Sequence, residues 1–245
     1  MPPSLSPLQD RSCPVDLAVV VPAYNEEKNI AAVLGEWSSV FGTLGLRFQM
    51  LVVDDGSRDG TAAAVRKMSE MHPGILLRTK ANSGHGPSCR AGYEWALGTG
   101  APWVLQIDSD GQCDPIYFSE FWPAREEADA VFGVRTSRDD GLARTVTSAL
   151  CRLGTLLWTG ASLRDPNVPY RLMRAEALRK ALDRVPQDFF IQNVALTLAL
   201  SRERGLRWKY FPIHFRNRAG GVNSINLRAV AKAGLQMLRE LKRVQ

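Results

Sequence analysis

The chain has 245 residues, a formal net charge of +6 and a composition that is ordinary for a globular protein, with 45% hydrophobic and 23% charged residues. It contains no stretch of about 18 uncharged apolar residues, which excludes a membrane span as a sequence prediction, and its four cysteines form no CxxC pair, so neither a disulfide framework nor a zinc site is indicated. Residues 1–14 lack the apolar core of a secretory signal, and we expect a disordered leader there and a cytoplasmic protein.

The charge is divided unevenly along the chain. Residues 1–125 carry 10 basic and 14 acidic residues, whereas residues 201–245 alone carry 11 basic and 2 acidic residues. This asymmetry predicts an anionic partner for the second half, either a phosphate ligand, a membrane surface or nucleic acid, with a solvated basic face as the alternative. Nucleic acid is the weakest of these, because few aromatic residues lie among the basic ones for stacking.

The first predicted unit is a strand, a loop and a helix. Residues 17–21 form a continuous apolar run that predicts a central parallel strand. The loop that follows contains Tyr24, which could stack on a base, and Asn25, which we expect to cap the helix. Apolar residues at helical spacing then extend to Phe41. Open α/β sheets bind ligands at the carboxyl ends of their strands, where this loop lies.

A second unit repeats the pattern and ends its strand on two acids. Residues 48–53 are predicted as a strand, and Asp54 and Asp55 follow directly. A helix is expected to begin at Asp59 or Thr61. A carboxylate at the end of the second strand is well placed to accept a hydrogen bond from a ribose hydroxyl or a base N–H group. The alternative is a capped turn.

The third unit contributes a glycine-containing loop. A weaker strand is predicted over residues 75–79, and a helix over residues 88–97. Gly84 and Gly86 lie between them, where backbone amides could approach a phosphate or a sugar. There is no GxGxxG after the first strand and no GxxxxGK[ST], which counts against a dinucleotide oxidoreductase and a P-loop enzyme.

The fourth predicted strand leads into residues 108–115, DSDGQCDP, which we call the aspartate motif. Asp108 and Asp110 alternate along an extended chain and can converge on one point, where their mutual repulsion favours a cation between them. Mg²⁺ and Mn²⁺ prefer such oxygen ligands. The alternative is an ordinary solvated turn. Pro115 is placed to open the next helix.

Four motifs in order, VVVPAYNEEKNI, VVDDGSRDGT, the loop over residues 82–86 and QIDSDGQCDP, give the chain a family resemblance. It resembles the inverting family 2 glycosyltransferases of the GT-A fold, and more narrowly the branch similar to dolichol- and polyprenol-phosphate mannose or glucose synthases, which favours Gln112 and Pro115. The resemblance implies an α/β fold with a mixed, mostly parallel Rossmann-like sheet flanked by helices over residues 15–225. A basic amphipathic helix is expected over residues 226–245.

The resemblance also implies roles for individual residues. The metal, Mg²⁺ or Mn²⁺, is expected at Asp108, Asp110 and Gln112. The expected donor-binding residues are Pro22, Tyr24, Glu26, Asp54, Asp55, Gly84, Asp108 and Arg218. The expected catalytic residues are Asp110, Asp165 and Arg218. Arg218, on a glycine-rich segment, would neutralise the departing diphosphate, because a guanidinium can bind two oxygens at once.

The acceptor side is expected between Arg135 and Tyr170. Arg135, Arg144 and Ser148 are the candidates for binding an acceptor phosphate. Residues 168–170 replace the small residues usual in the family, which predicts a reshaped acceptor pocket. If the acceptor is a hydroxyl, a carboxylate must take its proton, and Asp165 is the candidate base.

The predicted reaction is metal-dependent, inverting transfer of a sugar from GDP-mannose or a UDP-sugar to a polyprenyl phosphate, either dolichyl or undecaprenyl. One alternative is transfer to a soluble sugar or glycan hydroxyl, and another is a nucleotide- or partner-binding subunit without catalysis. The basic tail either packs on the catalytic domain or makes a peripheral contact with the cytoplasmic membrane face or a membrane partner subunit.

Overall fold

The computed structural model describes residues 15–136, 164–187, 189 and 191–216. Its centre is one seven-stranded sheet with the strand order β3-β2-β1-β4-β6-β5-β7. The strands are β1 (Leu17–Ala23), β2 (Phe48–Asp54), β3 (Ile75–Thr79), β4 (Trp103–Gln106), β5 (Ala130–Arg135), β6 (Arg171–Arg174) and β7 (Trp208–Ile213). β6 runs antiparallel to its neighbours β4 and β5, and the other pairs are parallel. The predicted mixed, mostly parallel sheet is confirmed.

Helices flank this sheet. They are α1 (Ile30–Thr43), α2 (Thr61–Met71), α3 (His85–Gly98), α4 (Phe118–Ala124), α5 (Ala175–Asp183) and α6 (Gln192–Ser201), with a 3-10 turn (Pro115–Tyr117) before α4. None of the helices in the described ranges combines the length and the apolar character needed to cross a bilayer. The leader, the acceptor candidates Arg144 and Ser148, and the tail over residues 226–245 lie outside the described residues.

The central strands form where the sequence is continuously apolar. Every residue of β1 is buried, as are the last five residues of β2, because helices cover both faces of a parallel sheet. α1 turns Ile30, Leu34 and Trp37 into this core, which are spaced at one helical turn. The apolar residues that predicted β1, β2 and α1 are therefore the residues that these elements bury.

Three local predictions differ from the structure. α3 begins at His85, three residues before the predicted start at Ser88. β6 and α5 were not predicted, because β6 is only four residues long and carries an arginine at each end. The prediction that Asn25 caps α1 is wrong: Asn29 is the residue before α1, and Asn25 has a left-handed backbone with φ of 55°.

An aromatic cluster fills the core beneath α1 and corrects the prediction for residues 168–170. Tyr170 is 1% exposed and packs against Trp37 and Phe121, with ring centroids 5.4 and 4.5 Å apart. Val168 is fully buried as well. Beside this cluster, Gly133 makes room for Ile213 of β7, since a Cβ atom there would lie 2.2 Å from Cδ1 of Ile213. The bulky residues therefore fill the core and do not line an open acceptor pocket.

Candidate active site

The carboxyl ends of β1, β2 and β4 meet at one edge of the sheet, because the three strands are parallel neighbours. Ala23 at the end of β1 is in register with Asp54 at the end of β2. Val20 of β1 pairs with Gln106, the last residue of β4. The loops that follow these strands carry the polar motifs of the sequence, so the topology brings those motifs to one edge.

The loops after β1 and β2 are joined by hydrogen bonds. The N–H group of Asn25 donates to Oγ of Ser57 at 2.9 Å, and its side-chain oxygen accepts from the N–H group of Arg58 at 2.8 Å. Glu27 donates its N–H group to Asp59 at 3.2 Å. Asn is one of the few residues with a side chain that tolerates a left-handed backbone. Asn25 is therefore a loop cross-link.

Three predicted donor-binding residues lie on or beside the loop after β1. Pro22 is buried in the sheet, and Glu26 is 6% exposed. The Glu26 carboxylate accepts a hydrogen bond from Nδ2 of Asn29 at 2.7 Å. The backbone N–H group of Glu26 donates to Oγ1 of Thr61 at 2.8 Å. Tyr24 is 44% exposed, so its ring is open to a ligand. Donor binding by these residues stays a prediction.

Asp55 is the centre of a charged cluster that the sequence did not indicate. Its carboxylate is bound by the ammonium group of Lys80 and accepts from the N–H groups of Ser83 and Gly84 at 2.9 and 2.7 Å. Burial on its own raises the pKa of the Asp55 carboxyl, but these donors outweigh it and hold the pKa below its usual value. Gly84 has φ of 96°, a conformation that side chains disfavour. Asp55 thus fixes the loop in which Gly84 starts α3.

Asp54 is also bound locally. It is 2% exposed and accepts from the N–H group of Ser57 at 3.1 Å and from the Ser57 hydroxyl. In the structure Asp54 therefore accepts hydrogen bonds from its own loop, and Asp55 accepts them from the loop after β3. Their predicted contacts with a nucleoside would add to these bonds or replace them.

Asp108 and Asp110 follow β4 on the same side of the site. Oδ1 of Asp108 accepts from Nε2 of Gln106 at 3.2 Å and lies 4.0 Å from Nε2 of His85. Burial raises the pKa of Asp108 to about 6; His85 acts against this and the charge of Asp110 adds to it. Oδ1 of Asp110 accepts from the N–H group of Gln112 at 3.1 Å. The two carboxylates thus form an anionic pair that a cation would stabilise.

The donor set of this pair fits a divalent cation held only partly by protein. Within the described ranges, no three His, Cys, Asp or Glu side chains form a complete metal cage. Mg²⁺ is commonly held by one or two carboxylates, with its other ligands from water and substrate phosphates. Asp108 and Asp110 meet that description. The amide nitrogen of Gln112 donates to the backbone oxygen of Arg216 at 3.3 Å, so its amide oxygen is the atom that could reach a metal.

A buried hydrogen-bond network lies behind Asp108. The Tyr93 hydroxyl is 3.2 Å from Oε1 of Gln106 and 3.2 Å from Oδ1 of Asn193. Gln106 in turn donates to Asp108. Tyr93, Gln106 and Asn193 are at most 2% exposed. This network connects α3, β4 and α6 and orients the first carboxylate of the aspartate motif from inside the core.

Arg171 is a fully buried guanidinium that organises the same region. It donates to acceptors on the loop before β6 and on α6, namely the backbone oxygens of Pro166, Val168 and Asn193 and the hydroxyl of Thr197. Burial lowers the pKa of Arg171. Because five N–H groups reach neutral acceptors, this arginine ties the loop after Asp165 to the start of α6.

Two residues predicted for different roles are paired in the structure. Arg135 binds Asp165 through both Nε and Nη2, with the Nε–Oδ2 distance at 2.7 Å, and its N–H group donates to the same oxygen at 3.2 Å. The guanidinium also lies 5.3 Å from the ring of Phe215. The acceptor-phosphate candidate therefore holds the candidate base. Arg144, Ser148 and Arg218 lie outside the described residues, and their roles stay predictions.

The comparison with protein families settles the class of this chain. The model of glycosyl transferase family 2 matches residues 18–189. The chain belongs to glycosyl transferase family 2. It is therefore a glycosyltransferase. The donor site expected from the family resemblance lies at the edge of the sheet described above.

Named relatives of this glycosyltransferase cover most of its length. A polyprenol monophosphomannose synthase of Mycolicibacterium smegmatis is 28% identical over 85% of this chain and 80% of its own. An undecaprenyl-phosphate mannosyltransferase of Micrococcus luteus is 28% identical over 90% of this chain and 91% of its own. The glucosyl-3-phosphoglycerate synthase of Mycobacterium tuberculosis, solved with Mn²⁺, UDP-glucose and phosphoglyceric acid, has a TM-score of 0.67 at 18% identity, covering 94% of this chain and 80% of its own. The last of these shows a shared fold.

Several groups of this glycosyltransferase site were missed in the sequence. Lys80 follows β3 while Asp55 follows β2, so opposite charges at the ends of neighbouring strands were the available signal. Tyr93 and Asn193 carry no such signal, because they are 100 residues apart and look like ordinary helix residues. Arg216 was overlooked in favour of Arg218, two residues further on.

Proposed function

We propose that this glycosyltransferase transfers a sugar from a nucleoside diphosphate sugar to a polyprenyl phosphate, with Mg²⁺ or Mn²⁺ held by Asp108 and Asp110. The relatives named as acting on polyprenol and undecaprenyl phosphate support the acceptor, because the alignments cover at least 80% of both chains. The Mn²⁺ and UDP-glucose in the solved glycosyltransferase support the metal and the class of donor.

The observation that carries the choice of acceptor is the pair of Arg135 and Asp165. A carboxylate bound by both arms of a guanidinium has both of its oxygens engaged by the arginine, so neither is directed at a proton of the acceptor. A hydroxyl acceptor needs a base to take its proton, whereas a phosphate is already ionised and needs none. The paired Asp165 therefore supports a phosphate acceptor, with Nη1 of Arg135, which takes no part in the pair, available to bind it.

The residues then divide the work by position. Tyr24 would stack on the base at the end of β1. Asp108 and Asp110 would hold the metal, which would supply positive charge to the diphosphate leaving group. The acceptor phosphate oxygen attacks the anomeric carbon from the face opposite the diphosphate, so one bond forms as the other breaks and the configuration inverts. Arg218 is the proposed second cation for the departing diphosphate.

Transfer to a hydroxyl is the second candidate, favoured by the phosphoglyceric acid bound in the solved neighbour. In that reaction Asp165 would act as the base, and its pair with Arg135 would have to open. The two candidates differ in whether a proton must be removed from the acceptor, so only the hydroxyl reaction requires Asp165 to be released from Arg135.

An acceptor panel tests the proposal. The purified protein is incubated with Mn²⁺ and radiolabelled GDP-mannose or UDP-glucose, in parallel with undecaprenyl phosphate, undecaprenol or 3-phosphoglycerate. Undecaprenol is the matched control, because it has the same chain without the phosphate. We expect label in the butanol phase only with undecaprenyl phosphate. Transfer to 3-phosphoglycerate, with none to the lipid phosphate, would establish the hydroxyl reaction instead.

The membrane contact is part of the same proposal. A polyprenyl phosphate is embedded in a bilayer, and residues 201–245 carry 11 basic and 2 acidic residues that would attract an anionic surface. Binding to vesicles with anionic lipid, compared with neutral vesicles and at low and high salt, tests it. Equal sedimentation with both kinds of vesicle would contradict an electrostatic contact.

A further inference from the structure

The segment after β7 is bound to the second half of the aspartate motif by both its backbone and its side chains. The N–H group of Arg216 donates to the backbone oxygen of Gln112 at 3.1 Å, and Nε2 of Gln112 donates back to the backbone oxygen of Arg216 at 3.3 Å. One residue earlier in the motif, Gly111 turns the chain with φ of 79°. Gln112 is therefore held in register with Arg216 at two points.

The Arg216 side chain adds a second connection. Its Nε and Nη2 groups donate to the two carboxylate oxygens of Asp114 at 2.8 and 2.7 Å. Nη1 donates to Oε2 of Glu36 on α1 at 2.6 Å. Two carboxylates thus orient one guanidinium, and α1 provides the fixed support. Asp114 also accepts from the N–H group of Ile116, which starts the 3-10 turn.

These contacts lie beside the predicted metal ligands. Arg216 and Asp110 line the same small cavity of about 190 Å³, together with Glu36, Trp37 and Cys113. Asp110, Gln112 and Asp114 lie within five residues of one turn, in which Gly111 has φ of 79°, so a change in the backbone at Asp114 changes where the other two side chains point. Arg216 binds the end of this turn, and the β4 strand fixes its beginning.

We propose that Arg216 is a positioning residue for the metal–diphosphate site, holding Gln112 and Asp110 in the geometry that binds the cation while Glu36 orients its guanidinium. This inference rests on the proposed function, since it assumes a metal at the aspartate motif. Partners outside the ligand shell that orient metal ligands typically contribute about 10- to 100-fold to metal affinity. Lysine cannot replace Arg216 here, because an ammonium cannot bind both oxygens of Asp114 and still reach Glu36.

The chain offers a matched control in Arg207. It binds Asp129 through Nε and Nη2 at 3.1 and 3.0 Å, and its side chain is 52% exposed against 41% for Arg216. It precedes β7, at the amino end of the strand and thus away from the aspartate motif. Arg207→Lys therefore disrupts the same kind of two-armed pair without touching the site.

The test is the binding of Mn²⁺ in the presence of GDP or UDP, measured by calorimetry and by the electron paramagnetic resonance of free Mn²⁺. Arg216→Lys should raise the dissociation constant of Mn²⁺ about tenfold or more, and Arg207→Lys should leave it unchanged. The unfolding temperature of both variants is recorded as well. If the role of Arg216 is purely structural, Arg216→Lys should change the unfolding temperature as Arg207→Lys does and leave Mn²⁺ binding intact.

The outcomes separate this inference from the proposed function. If the unsubstituted protein does not bind Mn²⁺ in the presence of GDP or of UDP, the proposed metal site is wrong. If it binds Mn²⁺ and Arg216→Lys binds it equally well, the positioning role is wrong. If Arg216→Lys does not fold, Glu36→Gln decides: it keeps the pair with Asp114, and we expect about threefold weaker Mn²⁺ binding. Unchanged binding in Glu36→Gln would then overturn the inference.

Discussion

Replacing Asp55 by asparagine tests whether this carboxylate stabilises the fold or serves the donor. Asp55 is 3% exposed and is bound by the Lys80 ammonium and by the N–H groups of Ser83 and Gly84. Asparagine keeps the shape, but it removes the charge and turns one acceptor oxygen into a donor. The partly buried Lys80 ammonium then loses its counter-charge, and at least one backbone N–H group loses a charge-assisted hydrogen bond.

The expected cost follows from those losses. Hydrogen bonds to charged groups contribute about 1.5–3 kcal/mol each, and an unpaired buried charge adds to the penalty. We therefore expect Asp55→Asn to lower the free energy of unfolding by roughly 2–4 kcal/mol, or the unfolding temperature by roughly 5–15 °C for a domain of this size. Urea denaturation measures the first and calorimetry the second.

A double-mutant cycle with Lys80→Met gives the interaction its own number. The two substitutions together should cost less than the sum of their separate costs by at least about 0.5 kcal/mol, because they remove the same ion pair. Additive effects would refute the direct interaction between the two side chains. A loss below about 0.5 kcal/mol in Asp55→Asn, with a large increase in the KM of the donor, would show that Asp55 mainly contacts the nucleoside.

The pH dependence has a definite sign. Although burial acts in the opposite direction, hydrogen bonds from Lys80, Ser83 and Gly84 hold the folded-state pKa of Asp55 below 3.8, the ordinary value for an aspartate. Its contribution is therefore complete above pH 3.8 and is lost as the pH falls through the lower folded-state pKa. The difference in stability between the unsubstituted protein and Asp55→Asn should shrink over that acidic range. A difference that stays constant down to the acid transition would contradict the assignment.

Two further predictions concern stability away from the chemistry. Gly92→Ala places a Cβ atom 2.1 Å from Cγ1 of Val20 and should lower the free energy of unfolding by about 1–3 kcal/mol, measured by urea denaturation. Adding Val20→Ala should restore part of this loss. An unchanged free energy of unfolding would contradict the close contact of α3 with β1. Asp129→Asn should destabilise the protein by about 1–3 kcal/mol above pH 4, because hydrogen bonds from Arg207, together with Arg174, hold the pKa of Asp129 below its usual value; an unchanged unfolding midpoint at pH 7 would contradict this.

Much of the fold follows from apolar periodicity and strand-end chemistry. β3 was predicted residue by residue, and the continuous apolar runs of β1 and β2 marked the centre of the sheet, because strands buried on both faces need no polar alternation. β6 was missed, since a four-residue antiparallel strand that begins with the buried Arg171 has neither an apolar run nor an alternating pattern.

The site was predictable in its acids and not in their partners. Asp55 and Asp108 stand out in the sequence because acids directly after a strand are conspicuous. Groups that bind them from other segments, such as Lys80 and Ser83 on the loop after β3, depend on which loops the sheet order brings together. Tyr170 shows the reverse: its place in the family motif suggested a pocket, but its ring packs into the aromatic core against Trp37 and Phe121.

The mass of the lipid product is the most direct test of whether this glycosyltransferase moves a sugar to a polyprenyl phosphate. The protein is incubated with undecaprenyl phosphate, Mn²⁺ and GDP-mannose or UDP-glucose, and the extracted lipid is analysed by mass spectrometry, with Asp110→Asn and a chelator as controls. We expect a lipid phosphate that is heavier by one hexose residue when Mn²⁺ is present. This product should not form with Asp110→Asn or with the chelator. Consumption of the donor with an unchanged lipid mass, or a heavier lipid that forms equally well with the chelator, would contradict the proposed function.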